Sequence, residues 1–499
     1  MRAIRLGRIA FGLTCLSLTA FAETPPPPAD ESVLGEFVVT GVVQEHIPKI
    51  AVLPSHSPAM EDVVVRSVVR RDLEISGFFD VIPDKDALSG RYGFNDPVDV
   101  KAWQGLGAEA IVKVAAREAA GGKIEVFGIA YFPSAGKEPV YETKVTVEKS
   151  AVRRTAHKIT DDLIGALTGR PGGFSSHFTF AGPWGRNRRI FSVDSDGNGL
   201  AYHTDAKDTA IAPAFGPNGD VYFARSKNYS PYRAHRITPV GEPEPTRLTL
   251  PFTKSVYGIA FDKGRKKMAV AVAEADGSAI YVGDADGKNF TKVSTTTIAT
   301  HPAFSPSGKL AWVGGEPTSG AHRIYVDGKV VSPAGFSASA PTFCDTEDGV
   351  FLVYQVGVGG GRSDLIMSGE TGQGLSRLTQ GQGSNTYPAC SPDGRMLAFF
   401  SDRKEGKGLY VLSLKRFTTQ KVIGSVGESL RWDPLPTTAA APAKPAAAPA
   451  KPAAAPAKPA PAAAPAKPAP AAAPAKPAPA AAPAKPAPAK PVPSLAKPK

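Results

Sequence analysis

A seven-residue motif recurs along the chain from residue 213 onward and restricts the folds that the chain can adopt. Pro213-Ala-Phe215-Gly-Pro-Asn-Gly219 is followed by Pro302-Ala-Phe304-Ser-Pro-Ser-Gly308 and Pro388-Ala-Cys390-Ser-Pro-Asp-Gly394, and three weaker copies centre on residues 261, 343 and 432. The third residue of each copy falls at 215, 261, 304, 343, 390 or 432, so neighbouring copies are 39–47 residues apart. A repeat of this length is typical of a four-stranded blade of a β-propeller.

Each repeat has the composition of a small antiparallel sheet that cannot bury both of its faces alone. An apolar strand enters the motif, the Pro-x-Gly turn reverses the chain, and a second apolar strand such as Leu397-Ala-Phe-Phe400 returns. Radial stacking of neighbouring sheets buries both faces. The first unit, 178–204, lacks the motif strand, and the last copy, 430–432, has only that strand. Joining the two ends completes one blade, which predicts a closed ring of six.

Residues 45–172 alternate extended and helical patterns and predict an α/β domain before the propeller, which we assign to residues 173–436. Ile50-Ala-Val-Leu53 has the composition of a buried strand, and a helix over 58–76 should end at Gly77. A later helix, ended by Gly169, carries one apolar stripe made of Val152, Ala156, Ile159, Leu163 and Leu167. The predicted fold class is therefore an α/β N-terminal domain followed by an all-β six-bladed β-propeller.

The net charge of +12 comes entirely from the two ends of the chain. Residues 1–22 hold three Arg and no acidic residue, and residues 437–499 hold nine Lys and no acidic residue, so residues 23–436 are formally neutral. The folded body therefore has no basic excess that would indicate nucleic-acid binding. The Arg residues precede an apolar run and Ala20-Phe21-Ala22, which predicts a cleaved signal peptide over residues 1–22 and a mature protein without a transmembrane segment.

Two further segments have compositions that cannot form a packed core. Residues 23–44 begin with Pro25–Pro28 and are interpreted as a flexible N-terminal segment. Residues 437–499 are almost only Ala, Pro and Lys, with 19 Pro, and are predicted to be a disordered tail. The tail could be a solubilising spacer, or its Lys residues could attach to anionic polymers such as peptidoglycan, an attraction that physiological salt would screen.

The order of these segments resembles the TolB family of the bacterial Tol-Pal envelope system. The resemblance covers about residues 36–436 and rests on the repeated motif, the preceding α/β domain, and His157-Lys-Ile-Thr-Asp161-Asp-Leu-Ile-Gly-Ala-Leu167-Thr-Gly169 before the first blade. It implies a monomeric, non-enzymatic periplasmic adaptor without a cofactor. Such an adaptor would bind the lipoprotein Pal through the propeller and TolA through its N-terminal segment, and would support outer-membrane integrity and envelope constriction at cell division.

The loops that precede the motif strands should converge at one end of the channel and form a partner-binding rim. The resemblance implies that this rim faces Pal, and Tyr257 and Tyr387 are the aromatic residues that we expect to contribute most. The predicted rim residues are Ser255, Tyr257, Thr300, His301, Ser339, Asn385, Thr386 and Tyr387. The predicted TolA-binding segment is Phe37-Val38-Val39-Thr40. The alternative interpretations are solvated loops for the rim and an edge strand of the α/β domain for residues 37–40.

The sequence offers little support for catalysis. It contains no Gly-x-Ser-x-Gly and no His-Glu-x-x-His motif. A propeller enzyme that acts on peptides or glycans is the main alternative, and an acidic or Ser/His cluster in the central channel would favour it. His157 is expected to be a surface or capping residue rather than a catalytic base.

Two further patterns contain residue types that can form a metal site or a disulfide. Asp194-x-Asp196-x-Asn198-Gly199, with Asp205 beyond it, has the spacing of a calcium loop, but Asp284-x-Asp286-Gly287 recurs in a later repeat and favours a hairpin turn. After signal cleavage, Cys344 and Cys390 are the remaining cysteines. Because they occupy different positions of the motif, strand alternation should point them to opposite sheet faces, which predicts two free thiols.

Overall fold

The structure is a computed structural model, and it describes residues 31–34, 46–54, 59–88, 93–238, 244–315 and 320–434. The predicted signal peptide, the segment Phe37–Thr40 and the tail 437–499 lie outside these residues. Within the described ranges, no helix combines the length and the apolar character that a membrane crossing requires.

The N-terminal domain is a five-stranded sheet covered by two long helices. The strand order is β2-β1-β3-β4-β5, with β1 parallel to β2 and β3 and the remaining pairs antiparallel. The strands are β1 (Lys49–Val52), β2 (Asp80–Val81), β3 (Ala110–Glu118), β4 (Ile124–Tyr131) and β5 (Pro139–Val147). The helices are α1 (Met60–Ser76), α2 (Val100–Gly105) and α3 (Val152–Thr168).

Both long helices end where the sequence predicts. Gly77 and Gly169 adopt left-handed conformations with φ of 65° and 84°, the usual backbone after a helix C-terminus. The apolar stripe of α3 packs on the sheet, since Val152, Ala156 and Ile159 are buried in one core cluster with residues of β3 and β4. The side of α3 next to this stripe, which carries the buried His157 and Asp161, faces the propeller.

Six four-stranded antiparallel sheets follow and form the propeller. Each sheet is one blade, and its inner strand contacts the inner strands of the two neighbouring blades. In chain order the strands are β6 (Ser176–Trp184), β7 (Asn187–Asp194), β8 (Ala201–Tyr202), β9 (Thr209–Phe215), β10 (Val221–Ser226), β11 (Arg233–Ile237), β12 (Thr246–Arg247), β13 (Val256–Phe261), β14 (Lys267–Ala273), β15 (Ser278–Asp284), β16 (Thr291–Lys292), β17 (Ile298–Phe304), β18 (Leu310–Gly315), β19 (Arg323–Val326), β20 (Lys329–Val330), β21 (Ala338–Thr346), β22 (Gly349–Gly357), β23 (Ser363–Gly369), β24 (Ser376–Arg377), β25 (Asn385–Cys390), β26 (Met396–Ser401), β27 (Gly408–Ser413), β28 (Thr419–Ile423) and β29 (Glu428–Pro434).

Blade 1 combines the first and last strands of the propeller. Its order is β29-β6-β7-β8, and blades 2 to 6 use β9–β12, β13–β16, β17–β20, β21–β24 and β25–β28 in turn. Trp432 of β29 lies opposite Phe178 of β6, with ring centroids 4.5 Å apart, and its indole N–H donates to Ser176 Oγ at 2.7 Å. The predicted six-bladed ring, closed by its own chain ends, is confirmed.

A disulfide joins blades 5 and 6, so the prediction of two free thiols is wrong. Cys344 in β21 and Cys390 in β25 are bonded, and their Cα atoms are 5.3 Å apart. Strand alternation does not keep the two cysteines apart, because they lie in neighbouring sheets that stack face to face. Opposite faces of adjacent blades meet each other, so side chains that point to opposite faces can be bonded.

The α/β domain packs against blades 6 and 1. Arg71 in α1 donates to the carbonyl of Lys421 at 2.9 Å, and Gln420 donates to the carbonyl of Glu74 at 2.7 Å. Arg395, in the turn after β25, donates to Thr168 Oγ1 at 3.1 Å. Since this turn follows an inner strand, the α/β domain reaches the end of the propeller where the inner strands finish.

Candidate functional site: the propeller rim

A bulge near the start of every inner strand shapes the predicted rim. The pairing register shifts at this point in all six blades. In five blades a residue other than glycine has positive φ there: Ala212, His301, Ala340, Tyr387 and Ser429, with φ between 49° and 55°. Such bulges re-aim side chains, and backbone strain of this kind is found at functional sites. The rim is therefore a repeated, strained feature of the channel entrance.

The structure brings most of the predicted rim residues to this entrance, but to different depths. Tyr257 is 41% exposed, whereas Thr300, His301, Ser339 and Tyr387 are half-buried, as are Ser255 and Thr386. The backbone N–H of Tyr387 donates to Gln355 Oε1 of the neighbouring blade at 2.8 Å, which fixes its position.

Asn385 lies inside the wall of the propeller rather than on the rim. Its side chain is fully buried, and its Oδ1 accepts a hydrogen bond from Ser401 Oγ at 2.9 Å. Position in the loop suggested contact with a partner, but the side chain stabilises the start of β25 instead.

Sequence reasoning missed two aromatic residues of the rim. Tyr229 is 98% exposed at the tip of the loop after β10, where both Asn228 and Tyr229 have positive φ. Tyr232 packs edge-on against Tyr257, with ring centroids 6.1 Å apart. The Asn-Tyr dipeptide after a strand is a turn signal that could have located Tyr229, because Asn favours positive φ. Aromatic side chains thus extend the rim from blade 3 to blade 2.

Two ionisable groups at the entrance, His301 and Glu428, have shifted pKa values. Burial lowers the pKa of His301 to about 4, with the nearby Arg431 and His322 acting in the same direction, so its imidazole is uncharged at neutral pH. Burial raises the pKa of Glu428, whose carboxylate nevertheless pairs with Arg188 at 2.7 Å. The entrance therefore offers aromatic and neutral polar groups more than net charge.

The opposite mouth of the channel is bridged by ion pairs. Arg265 in blade 3 pairs with Asp433 in blade 1 at 2.5 Å, and Lys263 pairs with Asp345 in blade 5 at 3.0 Å. The Ser192–His203 contact, 2.6 Å between Oγ and Nε2, lies between β7 and β8 in the outer part of blade 1. The described channel residues thus pair charges between blades, and the Ser–His contact stands outside the channel.

The Asp194 segment forms the hairpin turn that the recurrence favours. The Gly197 N–H donates to the Asp194 carbonyl at 2.9 Å, and Gly287 makes the equivalent bond to Asp284 at 2.9 Å. The carboxylates of Asp194 and Asp196 both accept hydrogen bonds from the Arg153 guanidinium of α3. A calcium ion would have to displace this guanidinium.

Calcium is therefore expected to leave the stability of the protein unchanged. Arg153 already neutralises the carboxylates of Asp194 and Asp196, so millimolar Ca²⁺, roughly the range of weak extracellular calcium sites, should not move the thermal midpoint measured by differential scanning calorimetry. Magnesium at equal ionic strength is the control. A rise in the midpoint that follows Ca²⁺ concentration and not Mg²⁺ would contradict this interpretation.

The prediction that His157 lies on the surface is wrong. Its side chain is buried between α1 and blade 1, and Nδ1 lies 2.8 Å from Asp72 Oδ2. His157 lies beside the apolar stripe of α3, on a side of the helix that the propeller covers. The residue pattern within one helix cannot show that another domain covers this side.

The short turn Glu31–Leu34 lies within the segment that we interpreted as a flexible leader. Leu34 is fully buried in an apolar cluster formed by blades 4 and 5, which includes Val313 and Ala338. Ala338 begins the inner strand β21 and is adjacent to the rim residue Ser339. The leader is thus attached to the propeller close to the rim, three residues before Phe37.

Comparisons with known proteins agree on one family. The family model described as the TolB amino-terminal domain matches residues 36–128. A protein of Dinoroseobacter shibae named Tol-Pal system protein TolB is 29% identical over 226 residues, which are 44% of this chain and 50% of that protein. A protein of Ruegeria sp. with the same name is 31% identical over 160 residues, 31% of this chain and 36% of that protein. The crystal structure of TolB from Acinetobacter baumannii has a TM-score of 0.64 at 19% identity and covers 78% of this chain and 97% of that chain.

The matched part of the chain spans half or less of the length of these two curated relatives. The likeness to the crystal structure establishes the fold. Fold and matches together define a protein with an α/β domain followed by a six-bladed β-propeller, whose amino-terminal domain is similar to that of TolB. Residues 36–128 of the chain are similar to the TolB amino-terminal domain, and longer stretches are similar to the two curated TolB proteins.

Proposed function

We propose that this chain is a non-enzymatic periplasmic adaptor that binds Pal through the propeller rim and TolA through its N-terminal segment. In this role it would maintain outer-membrane integrity and support envelope constriction at cell division. The observation that supports the proposal most directly is the aromatic rim at the end of the propeller away from the α/β domain. Tyr257 is exposed there beside Tyr232, and Tyr229 stands fully in solvent.

The proposed Pal surface consists of the rim residues Ser255, Tyr257, Thr300, His301, Ser339, Thr386 and Tyr387, extended by Tyr229 and Tyr232. Tyrosine is enriched among the residues that dominate the energy of protein interfaces, and a rigid β scaffold holds such residues in place. The neutral state of His301 at physiological pH suits a surface that a partner covers and dehydrates. Asn385 is omitted because its side chain is buried in the wall.

The proposed TolA-binding segment, Phe37-Val38-Val39-Thr40, begins three residues after the buried Leu34. The buried Leu34 side chain supports the idea that the N-terminal segment is held near the rim while the propeller has no partner bound. A partner that displaces Leu34 from the propeller would also release Phe37–Thr40, the residues that follow it. The tail 437–499 keeps its two interpretations, a spacer or an attachment to peptidoglycan.

Isothermal titration of the mature chain with purified Pal and with TolA tests the proposal. We expect saturable one-to-one binding of each partner, and we expect loss of TolA binding, with Pal binding kept, when residues 23–40 are deleted. A chain that binds neither partner would reject the adaptor function, and unaltered TolA binding after the deletion would reject the assigned segment. The same titrations on a chain that ends at residue 436 measure how much the tail contributes to the binding of either partner.

Replacing Leu34 with Asp is expected to strengthen TolA binding. Burial of a leucine side chain contributes about 1.5–3 kcal/mol, so its loss should free the leader and raise the affinity for TolA by roughly tenfold or more. The measurement is the same titration on the Leu34→Asp variant. Val33→Asp is the matched control, because Val33 is 50% exposed and should tolerate the charge. Equal TolA affinities for the two variants would show that docking of Leu34 does not restrain the segment.

A further inference from the structure

Helix α3 carries a second, polar stripe beside its apolar one. Arg153, His157 and Asp161 follow one another at intervals of four residues, so they lie on one side of the helix. Arg153 bonds to Asp194 and Asp196 of blade 1, and the Asp161 carboxylate accepts the backbone N–H groups of Phe174 at 2.6 Å and Ser175 at 2.8 Å. The stripe therefore faces blade 1 and the chain segment that leads into it.

His157 is the centre of this stripe and contacts both domains. Its side chain is 2% exposed. Its Nδ1 lies 2.8 Å from Asp72 Oδ2 in α1, and its Nε2 lies 3.9 Å from Asp194 Oδ2 at the end of β7. His177 of β6 contacts the other oxygen of Asp194 at 3.1 Å. One imidazole thus stands between a carboxylate of the α/β domain and a carboxylate of the propeller.

The local charges favour a protonated imidazole. Burial alone would lower the pKa of His157, but Asp72, Asp194 and Asp196 outweigh it and raise the pKa to about 10. Burial would raise the pKa of Asp194, but the nearby imidazoles of His157 and His177 and the hydrogen bond from Arg153 hold it well below its usual range. Three carboxylates therefore surround two cations, Arg153 and His157, with His177 at the edge of the group.

We propose that His157 is an ionic latch that fixes the α/β domain on blade 1 of the propeller. The latch consists of Asp72 and His157 on the α/β side and Asp194 on the propeller side, with Arg153 bonded to Asp194 and Asp196 beside it. Thr160 on α3 contacts Asp72. Asp161 is the third ionisable residue of the polar stripe on α3. Removing one partner of a buried charge pair leaves the other unpaired, which is strongly unfavourable. The two domains therefore stay in one arrangement while the latch is intact.

A metal centre is the alternative for the same residues. Asp72, His157 and Asp196 each offer a ligand atom, and these atoms lie within 4.8 Å of one another. The Arg153 guanidinium, however, already bonds to Asp196 and Asp194, so a divalent cation would have to replace an existing cation. The observations favour the latch, and the metal becomes an outcome of the test.

The experiment measures the distance between the two domains in the full mature chain. Spin labels are attached to Lys101→Cys in α2 and Lys329→Cys in β20, both exposed positions, while the disulfide keeps Cys344 and Cys390 unreactive. Pulsed electron resonance should give one narrow distance distribution. We expect His157→Gln and Asp194→Asn each to broaden it, and we expect the double variant to broaden it no further than either single variant.

The control variant is Lys158→Gln, the neighbouring residue on α3. Lys158 pairs with Asp162 of its own helix and is exposed, so its loss should leave the distribution unchanged. Asp194→Asn leaves the Asp72–His157 pair intact but also removes one carboxylate that Arg153 bonds, so its effect is compared with that of His157→Gln at each pH. Unchanged distributions in both single variants, additive broadening in the double variant, or stoichiometric binding of Zn²⁺ that His157→Gln abolishes would overturn the latch.

A pH series adds a measurement that a purely steric role of His157 would not affect. Because the pKa is raised, the contribution of the imidazolium is complete below its ordinary value of about 6.5 and is lost as pH rises through about 10. The difference in distribution width between the wild type and His157→Gln should therefore shrink above about pH 9 and vanish near pH 11. A difference that stays constant over this range would contradict an ionic latch.

Discussion

Replacement of Cys344 and Cys390 by serine is expected to lower the free energy of unfolding by about 4 kcal/mol. The disulfide closes a segment of 46 residues, and the loss of chain entropy in the unfolded state for a loop of this size corresponds to that value. For a protein of this size, the thermal midpoint should fall by roughly 5–10 °C. Differential scanning calorimetry of the wild type and the double serine variant measures the effect.

Reduction of the wild type provides the control for the serine substitutions. Dithiothreitol should lower the midpoint of the wild type to about that of the double serine variant, and it should leave the variant unchanged. Serine also replaces two buried sulfurs, which could change the packing. Equal midpoints for the reduced wild type and the serine variant would show that the loss of stability comes from the missing bond and not from altered packing. If the double serine variant had the same thermal midpoint as the oxidised wild type, the bond between blades 5 and 6 would add no stability.

Combined replacement of Tyr257 and Tyr387 by alanine is expected to weaken Pal binding by about 100-fold or more. Each residue is proposed to be a dominant contact of the interface, so its truncation should cost about 2 kcal/mol or more of binding free energy. A tenfold change in the dissociation constant corresponds to about 1.4 kcal/mol. Isothermal titration measures the affinity. Far-UV circular dichroism and the thermal midpoint report whether the propeller remains folded.

Tyr202→Ala is the matched control for the rim variants. Tyr202 is an exposed tyrosine on β8, the strand of blade 1 that is farthest from the inner strand β29, and its removal should leave Pal affinity within about twofold. Tyr387 also packs against the core, so Tyr257→Ala alone gives the clearer result if the double variant is unstable. A folded double variant with unchanged Pal affinity would reject the rim as the Pal surface.

The repeating part of the fold could be predicted from the sequence because it is encoded locally. The motif around Phe215, Phe304 and Cys390 repeats the same strand and turn, and the incomplete first and last repeats predict that β29 joins β6. The helix ends at Gly77 and Gly169 likewise depend on neighbouring residues alone. Local patterns of this kind suffice for element type and for the number of blades.

Contacts between separate elements could not be read in the same way. Alternation describes the faces of one strand, so it could not show that Cys344 and Cys390 meet across two sheets. The apolar stripe of α3 identified one packed side, but nothing in the helix indicated that His157 on another side would be covered by blade 1. The burial of Leu34 depends on a cleft between two blades that no local pattern encodes.

The pairing of β29 with β6 has a consequence for when the protein can become functional. Blade 1 receives its inner strand from residues 428–434, more than 240 residues after β6 begins at Ser176. A chain that has not yet delivered β29 therefore keeps an unpaired edge at β6 and an open channel entrance. Assembly of the entrance must wait for the C-terminal strand, so incomplete chains should be unable to capture partners and should be exposed to proteases instead.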